Sequence, residues 1–122
     1  MLIMKGIYWV GSSIQDLKKF PDEVKQVMGY ALHLAQIGGK HGRAKPLKGF
    51  TGAGVLEMID DLQGNTYRTV YTVKFGDIIY VLHAFQKKSK SGIKTPKQEI
   101  DLIRKRLQAA REHYKSFEAR KK

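Results

Sequence analysis

The segment Ile78–Gln86 constrains the fold more than any other part of this sequence. Its side chains are apolar at both odd and even positions for most of its length. Because side chains of a strand alternate between the two faces of a sheet, such a segment must be covered on both faces. The sequence therefore predicts a central strand here, in a sheet packed by helices.

Three further segments supply partners for this strand. Lys5–Val10, Val55–Asp60 and Tyr67–Phe75 are rich in β-branched and aromatic residues, which favour extended structure. Glycine-containing turns separate the last three strands, one built on Gly64–Asn65 and one expected as a two-residue hairpin at Gly76–Asp77. The second half of the chain is therefore predicted to form a three-stranded meander.

Helical patterns flank the meander on both sides. Ser13–Ile37 is predicted as a two-helix hairpin that breaks at Phe20–Pro21, because a residue before proline avoids the helical region. Ser13 and Asp16 resemble a capping box at its start. Gly38–Gly39 is expected to end the second helix.

A third helix is predicted to begin at Thr95, whose hydroxyl is expected to cap it, with Pro96 in the first turn. Residues 119–122 are expected to be a frayed basic tail. The resulting order is β-α-α-β-β-β-α, which predicts a small α+β fold over residues 1–122, a single domain with a mainly antiparallel sheet packed by helices. Part of one face or one edge of the sheet is expected to stay open.

The net charge of +12 indicates an anionic partner. Residues 1–86 carry ten basic and seven acidic side chains, whereas residues 87–122 carry thirteen and four. Nucleic acid is the first candidate partner, an acidic protein the second and an anionic membrane the third. A solvated helix that keeps the protein soluble is the plain alternative.

Several classes of site are excluded by composition. The chain has no cysteine, which rules out disulfides, thiolate zinc sites, iron–sulfur clusters and a cysteine nucleophile. The absence of cysteine fits a reducing compartment, and a cytoplasmic location is expected. The longest apolar or aromatic stretch, Ile78–Leu82, is too short to span a membrane, and residues 1–10 lack the pattern of a signal peptide.

Five short motifs occur in order on the expected elements: Lys45–Gly49, Val55–Met58, Tyr67–Tyr71, Leu82–Ser89 and Thr95–Ile100. Together they resemble the RelE/ParE superfamily of type II toxin–antitoxin toxins, specifically its phage-derived, HigB-like branch. One departure lies directly after the first strand motif. The family pattern often has a basic residue two positions after the glutamate, where this chain has Ile59. Whether this position contributes to the function therefore stays open.

This resemblance implies a small RelE-like endoribonuclease that needs no metal and no cofactor. Such toxins cut mRNA, commonly on the ribosome, and thereby inhibit translation. The implied partners are mRNA, the ribosome and a HigA-like helix-turn-helix antitoxin, with operator DNA contacted only through the antitoxin complex and no membrane. Two alternatives remain: a ParE-type inhibitor of DNA gyrase without RNase activity, and a non-catalytic RNA-binding module.

RNA cleavage without a metal needs a base for the ribose 2′-hydroxyl, an acid for the leaving 5′-oxygen and fixed positive charge on the phosphate. Arg68 is the first candidate for that charge, since a guanidinium in a neutral strand is costly unless it is paired or lies on an open face. Its alternative is an exposed arginine paired with Glu57 or Asp60. Glu57 is a candidate base or the partner of Arg68. His83 is a candidate acid or base, or a structural histidine with a satisfied hydrogen bond.

Lys87 and Lys88 follow the central strand directly, and one of them is a candidate for phosphate binding or for protonating the leaving group. The alternative is a solvated basic loop. Strand parity places His83, Phe85 and Lys87 on one face, which favours Lys87 over Lys88.

Four more lysines are predicted to contact the RNA backbone. Lys45 and Lys48 lie in the loop before the meander, and Lys90 and Lys94 lie in the loop after it. Such contacts carry no sequence specificity. The alternative is that these lysines only maintain solubility.

Overall fold

The computed structural model describes residues 4–50, 52–88 and 95–121, with Lys88 described by its backbone alone. The elements are β1 (Gly6–Trp9), α1 (Ser13–Lys18), α2 (Asp22–Gln36), β2 (Lys45–Pro46), β3 (Val55–Leu62), β4 (Asn65–Thr72), β5 (Ile78–Lys88) and α3 (Lys97–Arg120). The strands form one sheet in the order β1-β5-β4-β3-β2. β1 runs parallel to β5, and every other neighbouring pair is antiparallel. The predicted α+β class is confirmed.

The central position of β5 is also confirmed, because β1 and β4 flank it and helices pack on both faces of the sheet. On one face, α1 and α2 build an apolar cluster in which Met28 and Val81 are fully buried. On the other face, α3 contributes Ile103 and Leu107 to a second cluster that contains Leu82. This two-sided cover explains why both parities of the β5 sequence are apolar.

A β-bulge in β5 changes which side chains reach α3. Val70 of β4 pairs with His83, but the next residue, Tyr71, pairs with Val81, which leaves Leu82 as an extra residue. Leu82 packs in the α3-side cluster, and His83 bonds to α3, so both point to this face.

The turns differ from the sequence expectation in two places. The turn between β3 and β4 consists of Gln63 and Gly64, with φ of 51° and 83°, one residue earlier than expected. Positive φ at both positions is typical of the type I′ turn, whose twist matches a hairpin. The expected two-residue hairpin at Gly76–Asp77 is wrong, because β4 ends at Thr72 and a five-residue loop, 73–77, leads to β5.

The helix ends also correct the expectations. The capping box at Ser13 is wrong: α1 is preceded by Ser12, and the buried Ser13 hydroxyl donates to the carbonyl of Val81 at 3.2 Å. Pro96, not Thr95, precedes α3 as its cap residue, and no side chain among the described residues caps that end. The expected frayed tail is corrected in part, since α3 includes Ala119 and Arg120.

None of the helices within the described ranges has both the length and the apolar character needed to cross a bilayer. The loop before the meander contains the two-residue edge strand β2. This strand carries Lys45 into register with β3.

The buried hydroxyl of Tyr71 in the sheet lowers the stability of the fold locally. Tyr71 is fully buried, and its hydroxyl has no hydrogen-bond partner within the described part of the chain. Burial raises the pKa of Tyr71 to about 12, because a phenolate would be desolvated there. By contrast, the hydroxyl of Tyr80 lies 2.8 Å from Nδ1 of His113.

Replacing Tyr71 by phenylalanine is expected to leave the free energy of unfolding unchanged or to raise it by about 1 kcal/mol, since a desolvated hydroxyl without a partner is removed. The matched control, Tyr80→Phe, is expected to lower it by about 1 kcal/mol, because its hydroxyl is bonded. Urea denaturation of both variants measures the difference. A larger loss in Tyr71→Phe than in Tyr80→Phe would contradict this account.

Candidate functional site

The sheet register brings Glu57 and Arg68 together on the face covered by α3. Glu57 of β3 pairs with Val70 of β4, and Arg68 lies two residues before Val70 on the same face of β4. The two charged residues are therefore diagonal neighbours across adjacent strands, a separation that long side chains bridge. Lys45 of β2 pairs with Glu57 and so shares its row on the sheet.

Glu57 and Arg68 form a buried ion pair. Nη1 of Arg68 donates to Oε2 of Glu57 at 3.0 Å, and the two side chains are only 3% and 5% exposed. The hydroxyl of Thr95 accepts a hydrogen bond from the same Nη1 at 3.2 Å and donates to the same Oε2 at 2.9 Å. Oε2 thus receives two hydrogen bonds, whereas Oε1 of Glu57 receives none from the described residues.

The expectation that Arg68 lies on an open face is wrong. Its residue exposure is 2%, and its guanidinium contacts Glu57 and Thr95. Of the two acidic partners considered, Glu57 is the one in contact, and Asp60 instead pairs with Arg43 at 2.9 Å. Tyr67 lies on the opposite face in the α1–α2 cluster, as strand alternation predicts.

A cleft of about 820 Å³ opens beside this ion pair. The described residues that line it are Lys45, Pro46, Leu47, Lys48, Glu57, Thr95, Lys97 and Ile100. The three lysines are exposed, whereas Glu57 is buried at the cleft wall. Arg68 is not among the lining residues and lies behind Glu57 and Thr95. We call this space the lysine cleft, because Lys45, Lys48 and Lys97 line it together with Glu57.

His83 lies outside the lysine cleft. Its Nε2 is 2.8 Å from Oε2 of Glu99, and its Nδ1 is 3.4 Å from Nη1 of Arg106. A guanidinium can only donate, so Nδ1 accepts this long hydrogen bond and Nε2 carries the proton that is donated to Glu99. His83 is buried and lines a separate cavity of about 330 Å³ between α1 and the start of α3. These contacts are those of the second alternative for His83, a structural histidine with a satisfied hydrogen bond.

The lysines predicted from the sequence fall into three groups. Lys45 and Lys48 line the lysine cleft, and their contacts with phosphate stay a prediction. Lys87 pairs with Thr66 at the end of β5, on the predicted face, but does not line the cleft. Lys88 pairs with Asn65 through its backbone. The predicted contacts of Lys90 and Lys94 lie outside the described residues.

Sequence reasoning missed four residues in this region. The sequence predicts Thr95 as a helix cap and Arg106 as helix surface, and it gives Lys97 and Glu99 no role beyond the motif Thr95–Ile100. The signal for Thr95 and Lys97 was their position at the start of α3, directly after the segment that leaves the central strand. Within the described ranges, no three His, Asp or Glu side chains come together in a group that could hold a metal ion.

The fold and the cleft define a small, basic α+β protein with a buried carboxylate in a lysine-lined cleft. The family model "Phage derived protein Gp49-like (DUF891)" matches residues 15–108, and the chain belongs to this family. The phage-derived branch that the sequence motifs indicate is therefore confirmed.

A solved structure shows a partial likeness to this chain. It is the toxin–antitoxin complex RelBE2 from Mycobacterium tuberculosis, with 17% sequence identity and a TM-score of 0.46 over 71% of this chain and 95% of that chain. No match to a curated protein was found.

Replacing Arg68 by alanine is expected to lower the free energy of unfolding by about 3–5 kcal/mol, since it leaves the buried carboxylate of Glu57 without its counterion. The control Arg43→Ala breaks an ion pair whose arginine side chain is 53% exposed, and it is expected to cost less than about 1 kcal/mol. Chemical denaturation of both variants measures the difference. Equal losses would show that burial of the Arg68 pair has no energetic consequence.

Proposed function

We propose that this chain is the toxin of a type II toxin–antitoxin module and acts as a single-domain, cytoplasmic endoribonuclease that cleaves mRNA, in association with the ribosome, and inhibits translation. The observation that carries the proposal is the carboxylate of Glu57 in a cleft lined by Lys45, Lys48 and Lys97. Membership of the phage-derived family and the resemblance of the motifs to HigB-like toxins support it.

The proposed reaction needs only groups that line the lysine cleft. Glu57 takes the proton of a ribose 2′-hydroxyl as the 2′-oxygen bonds to the adjacent phosphorus. The bond from phosphorus to the 5′-oxygen breaks, and that oxygen takes a proton from a cleft lysine, which is recharged from water. The products are a 2′,3′-cyclic phosphate and a 5′-hydroxyl. The remaining ammonium groups stabilise the negative charge on the phosphorane.

Arg68 acts through Glu57 in this scheme and is a positioning residue. A guanidinium that is 2% exposed and bonded to Glu57 and Thr95 supports the carboxylate from behind. This role replaces the direct phosphate contact that the sequence predicts for Arg68. His83 is given a structural role, because both of its ring nitrogens lie against partners in the protein. Lys87 and Lys88 remain candidates for contacts with RNA beyond the cleft.

The proposed partners follow from the same assignment. A cognate antitoxin of the helix-turn-helix, HigA-like type holds the toxin inactive, and operator DNA is contacted only through that complex. The mRNA and the ribosome are the proposed targets, and the excess of positive charge in residues 87–122 favours contact with their phosphates.

Expression of the chain alone in a bacterial host is expected to arrest growth and to create new mRNA 5′ ends inside open reading frames. Glu57→Gln is expected to reduce these ends by about 100-fold or more, the usual contribution of a general base. The control Asp60→Asn changes an acid on the opposite face of the same strand and is expected to leave the ends unchanged. Sequencing of transcript 5′ ends measures both.

Two outcomes would contradict the proposal. Growth arrest with a DNA-damage response and no new mRNA ends would indicate a gyrase inhibitor. RNA binding without any cleavage would indicate a binding module. Circular dichroism of the purified variants establishes that each is folded at the assay temperature.

Each cleft lysine is expected to neutralise one RNA phosphate. Changing Lys45, Lys48 or Lys97 to alanine should weaken RNA binding and reduce the slope of log K against log [salt] by about 0.7 each, because one fewer counterion is released from a single strand. The control Lys18→Ala removes an exposed lysine on α1, away from the cleft. Fluorescence anisotropy across a salt series measures the slopes. An equal change in Lys18→Ala would mean that the cleft has no special part in binding.

A further inference from the structure

Thr95 occupies an unusual position for a residue at the start of a helix. Its side chain does not cap α3 and instead reaches the sheet, where it bonds to Glu57 and Arg68. Pro96 restricts the backbone of Thr95 to extended conformations, so its hydroxyl is not drawn into the first helical turn. The residue is half-buried and lines the lysine cleft beside Glu57.

The hydrogen bonds of this hydroxyl have a defined direction. A guanidinium can only donate, so the oxygen of Thr95 accepts from Arg68 and its proton is donated to Oε2 of Glu57. Arg68 donates to the same Oε2. Two donors on one carboxylate oxygen fix the rotation of the carboxyl group about its last bond. The other oxygen, Oε1, then has no hydrogen-bond partner among the described residues and is the one left for the cleft.

We propose that Thr95 is a positioning residue that holds Oε2 of Glu57 and thereby directs Oε1 at the ribose 2′-hydroxyl. This inference rests on the proposed RNA cleavage and assigns the atom that takes the proton. The two residues that hold Glu57 lie in different parts of the fold. Arg68 lies in the sheet, and Thr95 lies directly before Pro96 and α3.

The geometry separates this role from simple packing. Packing needs only the shape of the threonine side chain, which valine reproduces. Positioning needs a hydroxyl that accepts and donates at once, which serine retains and valine lacks. Because catalytic groups are sensitive to displacements of about 1 Å, loss of this hydroxyl is expected to affect the chemical step more than RNA binding.

The test compares Thr95→Val with Thr95→Ser on purified ribosomes programmed with a short mRNA. Thr95→Val is expected to lower the single-turnover cleavage rate by about 10- to 100-fold. The affinity for an mRNA with a single 2′-deoxy nucleotide at the cleaved position should change by less than about twofold, because binding does not use the proton transfer. Thr95→Ser is expected to retain the rate within about threefold, since it keeps the hydroxyl.

A double-mutant comparison adds a readout that a packing role would not produce. In the Glu57→Gln background, Thr95→Val is expected to change the residual cleavage rate by less than about twofold, because residues that act as a unit are not additive. A full additional loss in that background would overturn the proposal. So would a Thr95→Val protein that is folded and cleaves at the wild-type rate.

The failure of this proposal differs from the failure of the proposed function. If the wild-type chain cleaves mRNA and both Thr95 variants cleave it at the wild-type rate, only the proposed role of Thr95 is wrong. If the wild-type chain cleaves no mRNA in the presence of ribosomes, the endoribonuclease assignment fails, and the role of Thr95 in that reaction fails with it.

Discussion

The buried ion pair between Arg68 and Glu57 is the interaction on which the rest of this site depends. Two charges removed from water on an apolar sheet face are tolerated only when they are paired. Arg68 supplies the countercharge to Glu57, and Thr95 supplies a further donor to the same oxygen. Thr95, directly before Pro96 and α3, must therefore lie against the sheet for the carboxylate to be held in place.

In this arrangement, a single carboxylate lies beside more cations than its charge can neutralise. Arg68 compensates the charge of Glu57 from inside the protein, while Lys45, Lys48 and Lys97 stand at the solvent side of the same cleft. The lysines are thus available to a polyanion. A strand of RNA would bring its phosphates to the lysines and a ribose hydroxyl to Glu57, and this complementarity is the physical basis of the proposed function.

Much of the fold could be predicted from the sequence. The apolar run of β5 requires cover on both faces, and strand alternation places Arg68 and Tyr67 on opposite faces. The contact between Glu57 and Arg68 could be stated only as one of two pairings. The pairing register of β3 and β4 decides between the two pairings. This register depends on the turn at Gln63–Gly64, which the sequence pattern predicts one residue too late.

The burial of Arg68 and the contacts of Thr95 could not be predicted from the neighbouring residues in the sequence. Threonine before proline is typical of a helix start, and nothing near Thr95 in sequence indicates a partner 38 residues earlier. The same holds for His83, whose partners Glu99 and Arg106 lie on α3. Each of these contacts depends on how α3 docks on the sheet, which local patterns do not encode.

The most direct test of this account is the chemical identity of the RNA ends that the chain produces on ribosomes programmed with a defined mRNA. The account predicts a 2′,3′-cyclic phosphate on one fragment and a 5′-hydroxyl on the other, and no cut where the preceding ribose is replaced by 2′-deoxyribose. Fragments with a 3′-hydroxyl and a 5′-phosphate, or undiminished cleavage at the deoxy position, would contradict it, because Glu57 would then have no 2′-hydroxyl proton to take.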